Sequence, residues 1–221
     1  DIEYLNSVDK FGDYHFSGIF TLSNDGLIRG NINLSTVLFV RTKGHSIVNS
    51  GIIDGIINFG QIGDQYTTIG QGRSGAIYGG DGNDVLLGGL YEDVFSGDAG
   101  DDVLDGAAGD DILNGGDGDD VIDGGEGHDT AIFSGDRAAY VVTVNPDGVV
   151  TVSGPDGTDT LTSIERLQFA DGLYDFQGNP AGVTIDGTAD DDVLTGRSGD
   201  DIINGAGGDD VLNGGDGDDR L

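Results

Sequence analysis

Aspartate recurs at every ninth residue across two stretches of this chain, and that period limits the fold more than any other feature. It stands at Asp84, Asp93, Asp102, Asp111, Asp120 and Asp129, then at Asp192, Asp201, Asp210 and Asp219. A glycine precedes each by five residues, at Gly79, Gly88, Gly97, Gly106, Gly115 and Gly124, then at Gly187, Gly196, Gly205 and Gly214. Each nonapeptide therefore opens on glycine and carries Asp at its sixth position. Its eighth position is a large apolar residue in nine of ten, the exception being Ala131. Self-similarity at a short fixed period marks a stacked architecture in which no single unit buries its own apolar face.

The order of residues within a repeat dictates its shape. Six Gly- and Asp-rich residues make a turn, and three residues of β character, such as Val103-Leu104-Asp105, make a short strand. Strand side chains alternate, so position eight faces inward while seven and nine face out. Two nonapeptides form one flattened coil, and coils stack at the strand spacing of about 4.8 Å. Leu86, Phe95, Leu104, Leu113 and Ile122 then fill a thin core. The expected fold is all-β: a parallel β-roll or β-helix solenoid, with a small β insertion between two repeat blocks.

Charge asks for a partner. The chain carries 41 acidic and 9 basic residues, a net charge of −32. Only Glu3, Glu92, Glu126 and Glu165 among the acids are glutamate. A bias to the shorter acid suggests carboxylates held against tight backbone turns rather than a solvated acidic surface. Such charge destabilises a compact state unless cations neutralise it. It also excludes nucleic acid as a partner, for want of a basic patch. Disorder is the competing reading of high charge, but 36% hydrophobic residues at regular positions favour folding conditional on a cation. Cysteine is absent, which removes disulfides and thiolate sites. No apolar run reaches membrane-spanning length, and no basic-then-apolar leader is present. A chain that starts at Asp1 and stops inside a repeat reads as a fragment of a longer protein.

Outside the repeats the pattern changes. Asn24-Asp25-Gly26-Leu27-Ile28, Asn49-Ser50-Gly51-Ile52-Ile53 and Asn58-Phe59-Gly60-Gln61-Ile62 share a loose Asn-x-Gly-x-Ile core. They predict cation-free β-helix coils over 24–78, with an ordinary Gly-rich β domain as the alternative; residues 1–23 carry no signal. The expected division is 1–78, a first roll at 79–129, an insertion at 130–186 and a second roll at 187–221. Within the insertion, Tyr140–Val144 and Val149–Ser153 alternate around Asn145-Pro146-Asp147-Gly148, a hairpin signal. Leu161 to Phe169 predicts a further strand or short helix.

A Gly-rich turn exposes carbonyls, and the position-six Asp adds charge. That donor set suits Ca²⁺, a hard cation taking six to eight oxygens. Crowded carboxylates repel without it, so binding and folding are expected to be coupled. An EF-hand does not fit, since a loop starting at Asp81 puts Leu86 where glycine is required. Zinc prefers His and Cys, and only His15, His45 and His128 are present. Magnesium rarely uses all-protein cages.

Repeats 79–129 and 187–221 resemble the hemolysin-type repeats of bacterial RTX proteins. Asp129-Thr130-Ala131-Ile132-Phe133 and Asp159 through Gly172 are similar to the insert found between such blocks. The resemblance implies a right-handed roll exported through a type I secretion channel, hence an extracellular or cell-surface location. It also implies how Ca²⁺ is held: by the carbonyls of positions two and four with the position-six Asp of one repeat, and by the carbonyls of positions one and three with the position-six Asp of the repeat two further on. Carried over, one site takes Gly80, Gly82, Asp84, Gly97, Ala99 and Asp102. A second takes Gly89, Tyr91, Asp93, Gly106, Ala108 and Asp111. A third takes Asp98, Gly100, Asp102, Gly115, Asp117 and Asp120, and a fourth Ala107, Gly109, Asp111, Gly124, Glu126 and Asp129. The second block adds Thr188, Asp190, Asp192, Gly205, Gly207 and Asp210, and then Arg197, Gly199, Asp201, Gly214, Asp216 and Asp219. Tyr91, at a position that is usually glycine, weakens the second set. Gly75, where Asp belongs, removes any full site at 70–78.

No catalytic motif is present. Gly70-Gln71-Gly72-Arg73-Ser74-Gly75 matches a dinucleotide fingerprint by accident, without a βαβ context. Neither a zinc-protease His-Glu-x-x-His nor a Gly-x-Ser-x-Gly elbow occurs. His128 reads as an exposed turn residue. The expected function is a calcium-binding secreted structural or surface protein, S-layer-like or adhesin-like, with self-association or a cell-surface partner as its interactions. The alternatives are the non-catalytic C-terminal module of a secreted protease, lipase or polysaccharide-modifying enzyme, and the repeat region of a toxin.

Overall fold

The computed structural model describes residues 5–8, 14–17, 21–24, 27–29, 32–35, 44–145, 148–175, 182, 184–196, 201–215 and 219–221. Its strands stack parallel with the two-repeat offset that the nonapeptide requires. Ile77 pairs with Phe95, Phe95 with Leu113 and Leu113 with Ala131 on one face. Leu86 pairs with Leu104 and Leu104 with Ile122 on the other. Each step is two nonapeptides, so alternate repeats fall on opposite sheets.

Position eight builds the core. Leu86, Phe95, Leu104, Leu113, Ile122 and Ala131 are at most 1% exposed, whereas Val94, Val103, Ile112 and Val121 at position seven are exposed. One layer of inward side chains from each sheet is all the roll contains, and its apolar burial is correspondingly small for its length.

The same two sheets continue upstream through longer coils. Ile47 pairs with Tyr66 and Tyr66 with Leu86; Ile32 pairs with Ile57 and Ile57 with Ile77. Among the described residues a third face appears here alone, where Leu27–Arg29 pairs with Ile52–Asp54 and Ile52 bridges to Arg73. The corners of these coils are held by asparagine. Asn24 Nδ2 donates to Asn49 Oδ1 at 2.8 Å, and Asn49 Nδ2 donates to the Arg73 carbonyl at 2.9 Å. Neutral amides satisfy one another directly, so this ladder needs no ion. Asn58 lies outside it, pairing with Asn33 in the opposite sheet. Before these coils, Leu5–Val8 and Tyr14–Ser17 form an antiparallel pair, and the second joins the stack.

Downstream, strands of the 130–186 insertion join both sheets of the roll. Thr130–Ile132 extends one sheet. Leu161 to Phe169 is neither one strand nor a helix. Gly157–Thr162 joins one sheet beside Val121–Asp123, and Arg166–Phe169 joins the other beside Thr130–Ile132. Val141–Val144 and Val150–Gly154 form the antiparallel hairpin read from the sequence, and Val150–Gly154 pairs antiparallel with Gly157–Thr162 as well. Phe133, Tyr140, Phe169 and Tyr174 cluster with ring centroids 5.0–5.7 Å apart and close that end of the core. In the second block, Thr184–Asp186 pairs with Ile202–Asn204 and Val193–Thr195 with Val211–Asn213. There only Ile203 is buried among the core-facing residues, so this block is marginal by itself.

Candidate metal centre

The repeat turns bring the position-six aspartates into two columns. In each, one carboxylate oxygen accepts the backbone N–H of the corresponding Asp one coil earlier. Asp84 N–H donates to Asp102 Oδ1 at 2.7 Å, Asp102 N–H to Asp120 Oδ1 at 2.8 Å. Asp93 N–H donates to Asp111 Oδ1 at 2.7 Å and Asp111 N–H to Asp129 Oδ1 at 2.8 Å. The second block repeats the contact from Asp192 to Asp210 and from Asp201 to Asp219, both at 2.9 Å.

The other oxygen is left over. Oδ2 of Asp84, Asp102, Asp111, Asp120 and Asp129 is buried without a hydrogen-bond partner. Each orphan costs about 1–3 kcal/mol, more when charged. These oxygens lie hard against the first residue of their own repeat. A Cβ at Gly97, Gly106 or Gly115 would sit 2.0–2.2 Å from Oδ2 of Asp102, Asp111 or Asp120 respectively. That contact is the physical reason position one must be glycine.

Some turns lack the orphan. Asp93 Oδ2 accepts the Gly89 N–H at 2.9 Å, Asp192 Oδ2 the Thr188 N–H at 2.6 Å, and Asp64 Oδ2 the Gly60 N–H at 3.1 Å. In these turns the carboxylate closes on its own backbone. Tyr91 is the visible cause at Asp93, because the corresponding Gly82, Gly100, Gly109 and Gly118 hold φ of 118–142°, a region closed to a bulky residue. The first half of the Gly89, Tyr91 and Asp93 set therefore differs from the other turns of the first block.

Burial pushes Asp84 up to about 8, with the neighbouring Asp102 carboxylate adding to it. Burial likewise raises Asp93 and Asp102 to about 6 and Asp111 to about 7. Asp120 and Asp129 shift upward for the same reason. These folded values exceed the ordinary 3.8, so across about pH 4–8 the metal-free fold holds protons that the unfolded chain has released. Its stability accordingly falls as pH rises through that window. A cation displaces those protons, so calcium binding strengthens over the same range. The expected result is residual β structure in chelator near pH 4–5 that melts toward pH 8, while the calcium midpoint rises as pH is lowered from 8 to 6. Circular dichroism at fixed pH steps reads both; midpoints independent of pH would contradict the burial of these carboxylates.

The donors fit a hard cation. Among the described residues no three His, Cys, Asp or Glu side chains gather as a metal cage. Each pair of stacked turns offers two carboxylates and must complete the shell with carbonyls. Those carbonyls face their neighbours: Gly82 N–H donates to the Ala99 carbonyl at 2.7 Å and Gly100 N–H to that of Asp117 at 2.8 Å. A carbonyl has a second lone pair for an ion. Arg197, Gly199 and Asp216 lie outside the described residues. Of the residues named from the sequence, Gly80, Gly82, Asp84, Gly97, Ala99 and Asp102 meet across one pair of turns, as do Asp98, Gly100, Asp102, Gly115, Asp117 and Asp120.

The model for the RTX calcium-binding nonapeptide repeat matches residues 78–113, 96–131 and 186–221. These stretches are RTX calcium-binding nonapeptide repeats. The matched residues coincide with the two stretches of periodic Asp, and calcium is the ion of this repeat. Comparison with curated proteins finds no match. Among solved structures the chain is similar to the extracellular lipase LipA from Serratia marcescens, at 20% identity and a TM-score of 0.36. The match covers 77% of this chain and 33% of the lipase, so the chain spans about a third of that protein's length.

Three residues besides the ten periodic aspartates lengthen the columns. Asp159 Oδ1 accepts the Asp120 N–H at 3.0 Å, Glu165 Oε2 accepts the Asp129 N–H at 2.8 Å, and Asp64 Oδ1 accepts the His45 N–H. His45 Nδ1 also lies 3.0 Å from Asp64 Oδ1, so a buried imidazole packs against this carboxylate. Glu165 falls in the ninefold phase and was legible by it. Asp64 and Asp159 do not.

Proposed function

We propose that this stretch is a non-catalytic, calcium-folded rod of an extracellular protein, with the position-six carboxylates and the adjacent turn carbonyls holding the ions. The observation that carries this is the row of buried, partnerless Oδ2 atoms at Asp84, Asp102, Asp111, Asp120 and Asp129. They require a cation or a proton, and at neutral pH outside cells millimolar calcium supplies the first. The cytosol holds far less, so the chain stays unfolded before export and folds after it. Export through a type I channel suits such a chain. Among the described residues no helix is long and apolar enough to cross a membrane.

A mechanical role is supported by the continuity of the sheets. One of ten strands and one of nine run from the asparagine-cornered coils into the calcium roll without a break. A surface-layer or adhesin assignment draws nothing from the comparisons. Small-angle scattering tests it. In chelator at pH 7.5 the 221-residue chain should approach the about 50 Å radius of gyration of an unfolded chain this long. In millimolar calcium it should contract toward the about 17 Å of a folded domain, remaining somewhat above it because a solenoid is elongated. A radius indifferent to calcium would sink the proposal.

A further inference from the structure

The turn at 154–159 lies outside the ninefold register yet behaves as a repeat turn. Gly154-Pro155-Asp156-Gly157-Thr158-Asp159-Thr160-Leu161-Thr162 has glycine first, Asp sixth and an apolar eighth residue. The hairpin before it sets it 39 residues after the 115–120 turn. Its contacts copy those between successive turns of the roll. Gly118 N–H donates to the Asp156 carbonyl at 2.6 Å, as Gly100 N–H does to that of Asp117 at 2.8 Å. Asp120 N–H donates to Asp159 Oδ1 at 3.0 Å, as Asp102 N–H does to Asp120 Oδ1 at 2.8 Å. Thr158 N–H donates to Asp119 Oδ1 at 2.8 Å, as Asp119 N–H does to Asp101 Oδ1 at 3.1 Å. Gly157 holds φ of 138°, beside 142° at Gly118.

Two features point to a ligand between these turns. Asp120 is 1% exposed and its Oδ2 has no partner. Asp159, 2% exposed, cannot take the self-closing route of Asp64, Asp93 and Asp192. That route needs a backbone N–H at the second position of the turn, and here the residue is Pro155. The turn is also held in place from outside, because the Tyr140 hydroxyl donates to Asp156 Oδ2 at 2.6 Å.

We propose that the 154–159 turn closes a further calcium site against the 115–120 turn. Asp120 and Asp159 supply its carboxylates, and Gly116, Gly118 and Asp156 supply carbonyls. Its consequence is that calcium clamps the hairpin and the aromatic cluster onto the end of the roll. Burial that raises Asp159 to about 7 agrees with a carboxylate awaiting a counter-charge.

The inference rests on the calcium reading above, and the test separates the two. Native mass spectrometry of the full chain in calcium counts ions on wild type and on Asp159→Asn, while hydrogen exchange follows 157–162 and 85–107. The variant is expected to carry one ion fewer and to lose protection at 157–162, with 85–107 still protected. An unchanged ion count would overturn the site. A wild type that carries no calcium would overturn the calcium reading itself, which is a different result. Should Asp159→Asn fail to fold, terbium replaces calcium and Tyr140→Phe is compared with wild type. Tyrosine-sensitised emission is expected to fall in that variant, and emission equal to wild type would count against an ion beside Asp156.

Discussion

Asp102→Ala is expected to raise the calcium concentration at the midpoint of folding by about ten- to a hundredfold and to flatten the transition. Asp102 is 1% exposed, and its Oδ1 accepts the Asp84 N–H. A hydrogen bond to a charged group contributes about 1.5–3 kcal/mol, and each 1.4 kcal/mol is about tenfold in an equilibrium. The flattening has a separate cause. Asp102 faces the Asp84 turn on one side and the Asp120 turn on the other, so its loss uncouples two steps that otherwise reinforce each other. Asp105→Ala is the control, since Asp105 has no such bridging place in the column. Equal shifts for the two variants would contradict the column as the seat of cooperativity.

Gly97→Ala is expected to be at least as damaging, although it adds only a methyl group. The new Cβ would lie 2.1 Å from Asp102 Oδ2 and 2.6 Å from the Gly115 carbonyl oxygen. One is the orphaned carboxylate oxygen and the other belongs to the next coil, so neither can yield without moving the turn. Gly70→Ala makes the comparison fair. Gly70 has φ of 63° but nothing within 4 Å of a Cβ, so its cost is the left-handed backbone alone, about 1–2 kcal/mol. A Gly97→Ala protein that folds at the wild-type calcium midpoint would show that the carboxylate does not sit where the turn places it.

These two residues also show what could be read from the sequence. The roll was legible because one unit repeats, so Gly97, Asp102 and Leu104 report the same geometry from three positions of one nonapeptide. The parallel sheets, the inward eighth position and the two-repeat coil follow from that. Legibility failed wherever the coil length changed. Asp159 continues the Asp120 column at a separation of 39 residues, because the hairpin adds a length that is no multiple of nine. Asp64 precedes Asp84 by 20, because the coils there have gained a third face at Leu27–Arg29 and Ile52–Asp54. Closed turns were equally hidden. Asp93 and Asp111 look alike in sequence, but Asp93 spends its second oxygen on Gly89 while that of Asp111 has no partner. Only Tyr91 hinted at the difference, through the steric demand of a turn that elsewhere carries glycine.

The coupling of calcium to folding is tested most directly by far-ultraviolet circular dichroism of the whole chain at pH 7.5, first in chelator and then titrated with calcium. The expected spectrum in chelator is that of a largely unfolded chain. Strong β signal should appear cooperatively as free calcium reaches the millimolar range, and vanish again when chelator is restored. A β spectrum already complete in chelator, and unmoved by calcium, would contradict it.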